Sequence, residues 1–410
     1  MRIGAMLGFL AIAVALVASP HGGAAQETPS DAENLEAVAA DGGVRSIAAG
    51  YGHTCAVSGR GNVWCWGANQ FGQLGIGTTT ASLVPQRVTL GTRIRSVTAG
   101  SSFTCALSTR GRAYCWGNNY HGELGDTTRV TRTAPVEVSG LGEGVRALVA
   151  GLGHTCAINA DFELLCWGNN EGWPLGRNDV SDSDRPLPVL GLPGRVTAVA
   201  GGTGHSCAIA RQGRLYCWGT NSWGQLGTGE PQGSYLARRV TAMRDNVLAV
   251  AAGGNSTCAI SANNRLRCWG INVHGQLGNG GSPSGFERRP VPVADGRRWE
   301  SVAMGVDSHS DHNGFTCAVT IGGLPFCWGY NTSGQLGNGT QTEAFRPVAV
   351  SGIGSNVREM APAHNGEHSC AITGAGIAYC WGGNSYGQLG INSQVGALTP
   401  QRVHGRLHRR

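Results

Sequence analysis

Fourteen cysteines stand in seven pairs, each pair separated by nine residues: Cys55 and Cys65, Cys105 and Cys115, Cys156 and Cys166, Cys207 and Cys217, Cys258 and Cys268, Cys317 and Cys327, Cys370 and Cys380. Thiols arranged this way can form a disulfide or contribute part of a metal site. Structural zinc takes about four ligands at one point, with cysteines two to four residues apart. Each pair here would offer only two. In a hairpin with a three-residue loop at 59–61, Cys55 stands opposite Cys65 and Val57 opposite Val63. Facing Cα atoms lie ~4.5–5.5 Å apart, inside the ~4.4–6.8 Å span a disulfide tolerates. The expectation is seven bridges, each joining neighbouring strands.

Imidazole and carboxylate groups offer a second chemistry. Asp307-Ser308-His309-Ser310-Asp311-His312 lies in the longest unit, and His364-Asn365-Gly366-Glu367-His368 precedes the corresponding strand of the next. Side by side, Asp307, His309, Asp311, His312, His364 and His368 form a candidate divalent-metal set, the only cofactor the sequence suggests. Asp179, Asp182 and Asp184 do not match a calcium-loop pattern and read as a solvated acidic loop. Neither Gly-x-Ser-x-Gly nor His-Glu-x-x-His occurs, and no triad can be assigned by spacing. All 31 basic residues are arginine, which excludes Schiff-base and phosphate-loop lysine chemistry.

The elements that would hold these groups come from a repeat. Gly52-His53-Thr54-Cys55-Ala56-Val57 runs into Val63-Trp64-Cys65-Trp66-Gly67, and this frame returns seven times, with first cysteines 50, 51, 51, 51, 59 and 53 residues apart. In the first unit, apolar alternation and glycine-rich breaks predict strands over 44–49, 53–58, 62–67 and 85–89. A repeated four-strand unit of about 50 residues predicts a radial propeller, and seven copies suit a closed ring. The fold class is therefore all-β, a seven-bladed β-propeller of four-stranded blades over 44–404, with one intra-blade disulfide per blade. The short link from Arg87 to Arg93 suggests that each Pro-x-x-Val strand pairs with the strand after it. The C-terminal strand at 400–404 would then complete the blade begun at 44–49; if the Pro-x-x-Val strand instead belongs to the unit before it, each blade is self-contained.

The tryptophans at one repeat position, Trp66, Trp116, Trp167, Trp218, Trp269, Trp328 and Trp381, are expected between blades. Leu74 and its equivalents are expected to plug the core. His53, His154, His205 and His368 share one slot, but Phe103, Ser256 and Phe315 fill it elsewhere, which argues against a shared catalytic role. In a repeat, departures between copies are the better guide to function. Just before Gly-Gln/Glu-Leu-Gly stand Phe71, His121, Gly172, Trp223, His274, Ser333 and Tyr386. Phe71, His121, Trp223, His274 and Tyr386 are candidate ligand-binding residues arranged in a ring, since exposed aromatics and histidine favour interfaces. The alternative is that each lies flat over its own blade edge.

The chain has 410 residues, 67 of them glycine, with a formal charge of +6. Residues 1–25 read as a signal peptide: Arg2, an apolar run from Ala5 to Ala18 broken only by Gly8, then Gly23-Ala24-Ala25. Residues 26–43 read as a flexible acidic leader and 405–410 as a basic tail. No later segment is apolar enough for a membrane span. The arginines are spread along the chain, which argues against nucleic acid as a partner. The expected location is secreted or periplasmic, as a monomer.

The pattern His-Thr-x-Ala … Trp-Gly-x-Asn-x-x-Gly-Gln-Leu-Gly over 44–404 resembles the repeat of the regulator of chromosome condensation family. That resemblance implies a seven-bladed propeller. Family members include an exchange factor for the small GTPase Ran, plant photoreceptors, ubiquitin-ligase domains and a secreted bacterial β-lactamase inhibitor, which this exported chain is most comparable to. Fold alone guides function weakly. The expectation is a disulfide-stabilised module binding a protein or polysaccharide outside the cytoplasm through one loop face, in its sharper form inhibiting a secreted enzyme. A metal-assisted hydrolase or lyase with its site in the loops of units six and seven is the alternative, and guanine-nucleotide exchange follows from family analogy only.

Overall fold

A computed structural model describes residues 41–244, 246–281, 285–306 and 312–404. The first blade contains β1 (Val44–Ala49), β2 (His53–Ser58), β3 (Val63–Gly67) and β4 (Ser82–Val88), paired in that order. Six further four-stranded sheets repeat this order, making seven blades. Their first strands begin at Ile94, Ala147, Ala198, Ala249, Trp299 and Val357. Those first strands are innermost: Ile47, Val97, Val149, Val199, Val250, Val302 and Met360 line a central cavity of about 230 Å³.

The cysteines behave as the hairpin register requires. Cys55 pairs with Cys65 and Val57 with Val63 across β2 and β3. The same facing register places Cys105 opposite Cys115, Cys156 opposite Cys166 and Cys207 opposite Cys217. It also sets Cys258 opposite Cys268, Cys317 opposite Cys327 and Cys370 opposite Cys380. All seven pairs are disulfides with Cα atoms 4.0–4.1 Å apart, and no described cysteine is free. This is closer than the ~4.5–5.5 Å expected of facing residues in an antiparallel ladder. Each bridge is fully buried or nearly so.

Ring closure differs from the expectation. The C-terminal strand Ala397–Arg402 pairs with Ala378–Gly382 of its own blade, and β1 pairs only with β2. The Pro-x-x-Val strand is the outer strand of the unit before it. The link that follows crosses to the inner edge of the next blade instead of turning a hairpin. Among the described residues no strand is shared between the termini, and the ring is closed by side-chain packing, by backbone bonds such as Val44 N–H to Gly376 O at 2.8 Å, and by the seam contacts described below. The chain enters through residues assigned by sequence to the leader. Asp41 is buried, accepting hydrogen bonds from Ser58 Oγ and Asn62 Nδ2 at 2.6 Å each. The proposed signal peptide, the leader up to residue 40 and the tail at 405–410 lie outside the described residues.

The seams explain the repeated tryptophan. Trp116 Nε1 donates to the carbonyl of Gln73 in the preceding blade at 2.9 Å, and Thr104 Oγ1 donates to the same oxygen at 2.9 Å. The indole bond recurs at all seven seams, with Glu123, Pro174, Gln225, Gln276, Gln335 and Gln388 supplying the carbonyl. Every one of these indoles is at most 1% exposed. Leu74 and its equivalents are buried beneath the turn. Gly75, at φ +71°, must lack a side chain because a Cβ would lie 2.7 Å from Trp116 Nε1.

Candidate functional site

The strand order of each blade sends its first-to-second and third-to-fourth connections to the same end of the ring. The longer third-to-fourth loops are held in shape by one buried asparagine per blade. Asn69 Nδ2 donates to Thr78 O and Thr80 O, and Asn69 Oδ1 accepts from Leu74 N–H, each at 2.9 Å. Asn119, Asn170, Asn221, Asn331 and Asn384 repeat this three-way fastening. Satisfied buried amides of this kind give a rigid loop face. The repeated asparagine is visible in the motif, but only the fold shows its role.

The five ring residues all lie on this face, and most reach across a seam to the next blade. Phe71 meets Tyr120 edge-on at 6.2 Å. His121 Nδ1 bonds Asp182 Oδ2 at 2.9 Å. His274 bonds Glu343 at 2.7 Å and Asn313 at 3.0 Å. Tyr386 packs on Tyr51, with hydroxyls 3.2 Å apart, at the junction of the last and first blades. Trp223 of the fourth blade meets Phe286 of the fifth at 5.9 Å and His312 of the sixth at 4.8 Å. His312 of the sixth blade thus reaches a residue of the fourth. Asp182 is one arm of a cross-blade pair rather than part of a merely solvated acidic loop.

A gap opens in this ring at the third blade. The ring position there is Gly172, flanked by His121 and Trp223, and a cleft of about 680 Å³ lies over the second, third and fourth blades. Its lining includes His121, Glu123, Asn169, Glu171, Trp223 and Gln225. A Cβ at Gly172 would overlap the methyl of Thr220, so the opening depends on glycine. Burial raises the Glu123 carboxyl above its ordinary range, although the His121 backbone N–H donates to it at 2.9 Å. Next to Gly172, Trp173 occupies a position that is glycine in every other blade. It sits at φ +70° with 42% of its surface exposed and its ring edge-on to Tyr235 at 6.4 Å. A bulky residue in that region is strained, and the following Pro174 restricts it further. The Trp-Pro departure is visible in the sequence, but comparing ring positions between units selects Gly172 and passes over Trp173.

Of the candidate metal residues, Asp307, His309 and Asp311 lie outside the described residues. His312 packs on Trp223, as above. His364 lines the central cavity, and burial lowers its pKa to about 4. His368 is fully buried with its Nε2 2.9 Å from Thr54 Oγ1. Among the described residues, no three His, Cys, Asp or Glu side chains converge on one point.

His53, His154, His205 and His368 are seam residues. His53 Nε2 lies 2.9 Å from Thr104 Oγ1, whose single proton is already given to Gln73 O. The ring must therefore carry its proton on Nε2. Its Nδ1 is buried without a partner, as are those of the other three. Burial lowers the pKa of His53, His205 and His368 to about 3 and of His154 to about 4.

An RCC1-like domain model matches residues 15–365, and an RCC1 repeat model matches residues 365–388. The chain is 30% identical to the ultraviolet-B receptor UVR8 of Arabidopsis thaliana over 276 residues, covering 66% of this chain and 61% of that protein. It is 31% identical over 285 residues to the mitochondrial RCC1 domain-containing protein RUG3 of the same plant, covering 66% and 63%. It therefore spans less than two thirds of the length of these relatives, and only 5% of the human E3 ubiquitin-protein ligase HERC2, to which it is 28% identical. Yeast RCC1 (Prp20), solved bound to Kap60, shares the fold with a TM-score of 0.71 at 21% identity over 83% of each chain. Human WBSCR16 gives 0.70 at 22%, over 79% of this chain and 85% of that one. Seven blades sealed by one repeated tryptophan, and a family match across most of the length, lead to one assignment: the chain belongs to the RCC1-like domain family.

Proposed function

We propose that this chain is an exported binding module whose loop face captures a protein partner in the cleft between His121 and Trp223. The observation carrying this reading is the gap at Gly172, followed in the chain by the strained, exposed Trp173. Residues held in unfavourable backbone conformations cluster at binding and catalytic sites. Glu123 and Glu171 line the same cleft as Trp223, and carboxylates beside an aromatic ring suit a basic side chain offered by a partner loop. Buried disulfides in every blade fit an oxidising compartment, and the rigid face would bind with little ordering cost. Inhibition of a secreted enzyme is the sharper form of this reading.

The test is capture from culture supernatant with the mature chain as bait. The expected result is a stoichiometric protein partner, lost or weakened at least about tenfold by Trp223→Ala or Glu171→Gln, each removing a contact at the cleft. Glu171→Gln, at an exposed residue, should leave the melting temperature at the parent value, whereas Trp223→Ala also loses its ring contacts with Phe286 and His312. Equal capture by these variants, or retention of a neutral glycan in place of protein, would overturn it.

A further inference from the structure

The opposite end of the ring carries a different surface. At the second position of the innermost strand, or just before it, the seven blades present Arg45, Arg95, Arg146, Thr197, Leu248, Glu300 and Arg358. Four arginines thus fall in four consecutive blades, from the seventh through the first to the third. They form an arc around one mouth of the central channel. Three of them, Arg45, Arg95 and Arg358, are the residues that the strand ladder skips at an irregularity between neighbouring pairs. A bulge of this kind re-aims a side chain away from the sheet.

No ion pair among the described residues uses these charges, although burial raises the Glu359 carboxyl and Arg358 pulls it down against that effect, and Arg146 Nε donates to Ala160 O at 3.1 Å. Among the described residues, none of the four has a carboxylate within ion-pair distance. Arg45, Arg146 and Arg358 are exposed. Arg358 spends one N–H on Val44 O at 2.9 Å, and Arg95 Nη2 bonds Val145 O at 2.8 Å and Arg146 O at 2.6 Å. The Arg95 Nε–H is buried with no acceptor. Beyond Arg146, the arc is extended by Arg195. Both guanidiniums lie over the Phe162 ring, at 3.8 and 3.6 Å from its centroid. Two groups this close to one centroid must take opposite faces, so one aromatic ring holds two like charges near each other, with no carboxylate in ion-pair distance of either among the described residues. Guanidinium forks favour anions that present two oxygens to their paired N–H groups, such as carboxylates and sulfate esters.

We propose that this arc is a second binding surface, for a linear anionic polysaccharide bearing sulfate or uronate groups. Blade-to-blade repetition sets the cations along a curve, which suits a polymer of regularly repeated charges better than a single compact anion. It lies on the end of the ring opposite the cleft, so both partners could be held at once.

The experiment is titration of the mature chain with a heparin oligosaccharide and with polygalacturonate, using neutral dextran as control, at several salt concentrations. Saturable binding to one anionic glycan is expected. Arg45→Glu, at a residue whose side chain makes no hydrogen bond or ion pair among the described residues, is expected to weaken it at least about fivefold, and Arg45→Glu with Arg146→Glu at least about twentyfold. The slope of log K against log salt should fall by about one per arginine removed. Trp223→Ala should leave glycan binding unchanged. The proposal is overturned if neither glycan binds, if the variants bind as the parent does, or if duplex DNA or anionic vesicles bind more tightly than both glycans at equal salt.

Discussion

Trp66 in the first blade donates its indole N–H to the carbonyl of Gln388 in the last, at 2.9 Å, and Thr54 Oγ1 donates to the same oxygen at 2.8 Å. This closing seam is built like the other six. Trp66→Phe should therefore cost about as much as Trp116→Phe, roughly 1–2 kcal/mol each from the lost hydrogen bond and the volume vacated beside a carbonyl that keeps only its threonine donor. Urea titration would show this as similar shifts in midpoint. A far larger loss at Trp66 alone would show that closure is the weak point of the ring.

Acid should destabilise the fold through the seam histidines. With folded pKa values of about 3 to 4, against about 6.5 when unfolded, the unfolded chain binds more protons throughout that interval. Stability therefore falls as pH drops below about 6.5, by up to ~1.4 kcal/mol per pH unit for each ring. Glu359, pushed up to about 7 by burial, acts oppositely between about pH 4.5 and 7 and offsets one histidine there. His53→Phe should flatten the acid limb, because Phe103 fills the same slot in the second blade and packs over Gly100 as His53 does over Gly50. Urea midpoints measured from acid to neutral pH for parent and variant decide it.

Trp173→Gly should raise stability by about 1 kcal/mol, since glycine occupies this left-handed position in the other six blades and relieves the strain. The same variant should lose partner capture. A drop in melting temperature would mean that the contact with Tyr235 outweighs the backbone strain.

Removing one bridge, as in Cys55→Ala with Cys65→Ala, should cost at most ~2–3 kcal/mol, because the loop it closes is short. With every bridge buried, reduction by dithiothreitol should follow blade opening. Thiol labelling rates should therefore rise with urea well below the unfolding midpoint of the oxidised protein. Rapid labelling of all fourteen sulfurs in native buffer would contradict the packing described.

What was legible in the sequence is what short-range geometry controls. The Cys-x9-Cys spacing fixes a hairpin register, so Cys55 opposite Cys65 follows from loop length alone. The seven-fold repeat then sets the blade count, and the invariant Trp66 position marks the seams. The tertiary structure decided whatever depends on which surfaces meet. Strand pairing at the termini could be drawn two ways from the Arg87–Arg93 link, and packing placed Ala397–Arg402 on the outer edge. The ring residues proved to reach the next blade, as Phe71 does to Tyr120, because a loop's neighbour lies one repeat away in sequence. Arg45, Arg95 and Arg146 look scattered, about one repeat apart along the chain, yet ring closure gathers them with Arg358 on one rim. Radial symmetry converts distance along the chain into adjacency around an axis, and only the closed ring reveals which face each residue occupies.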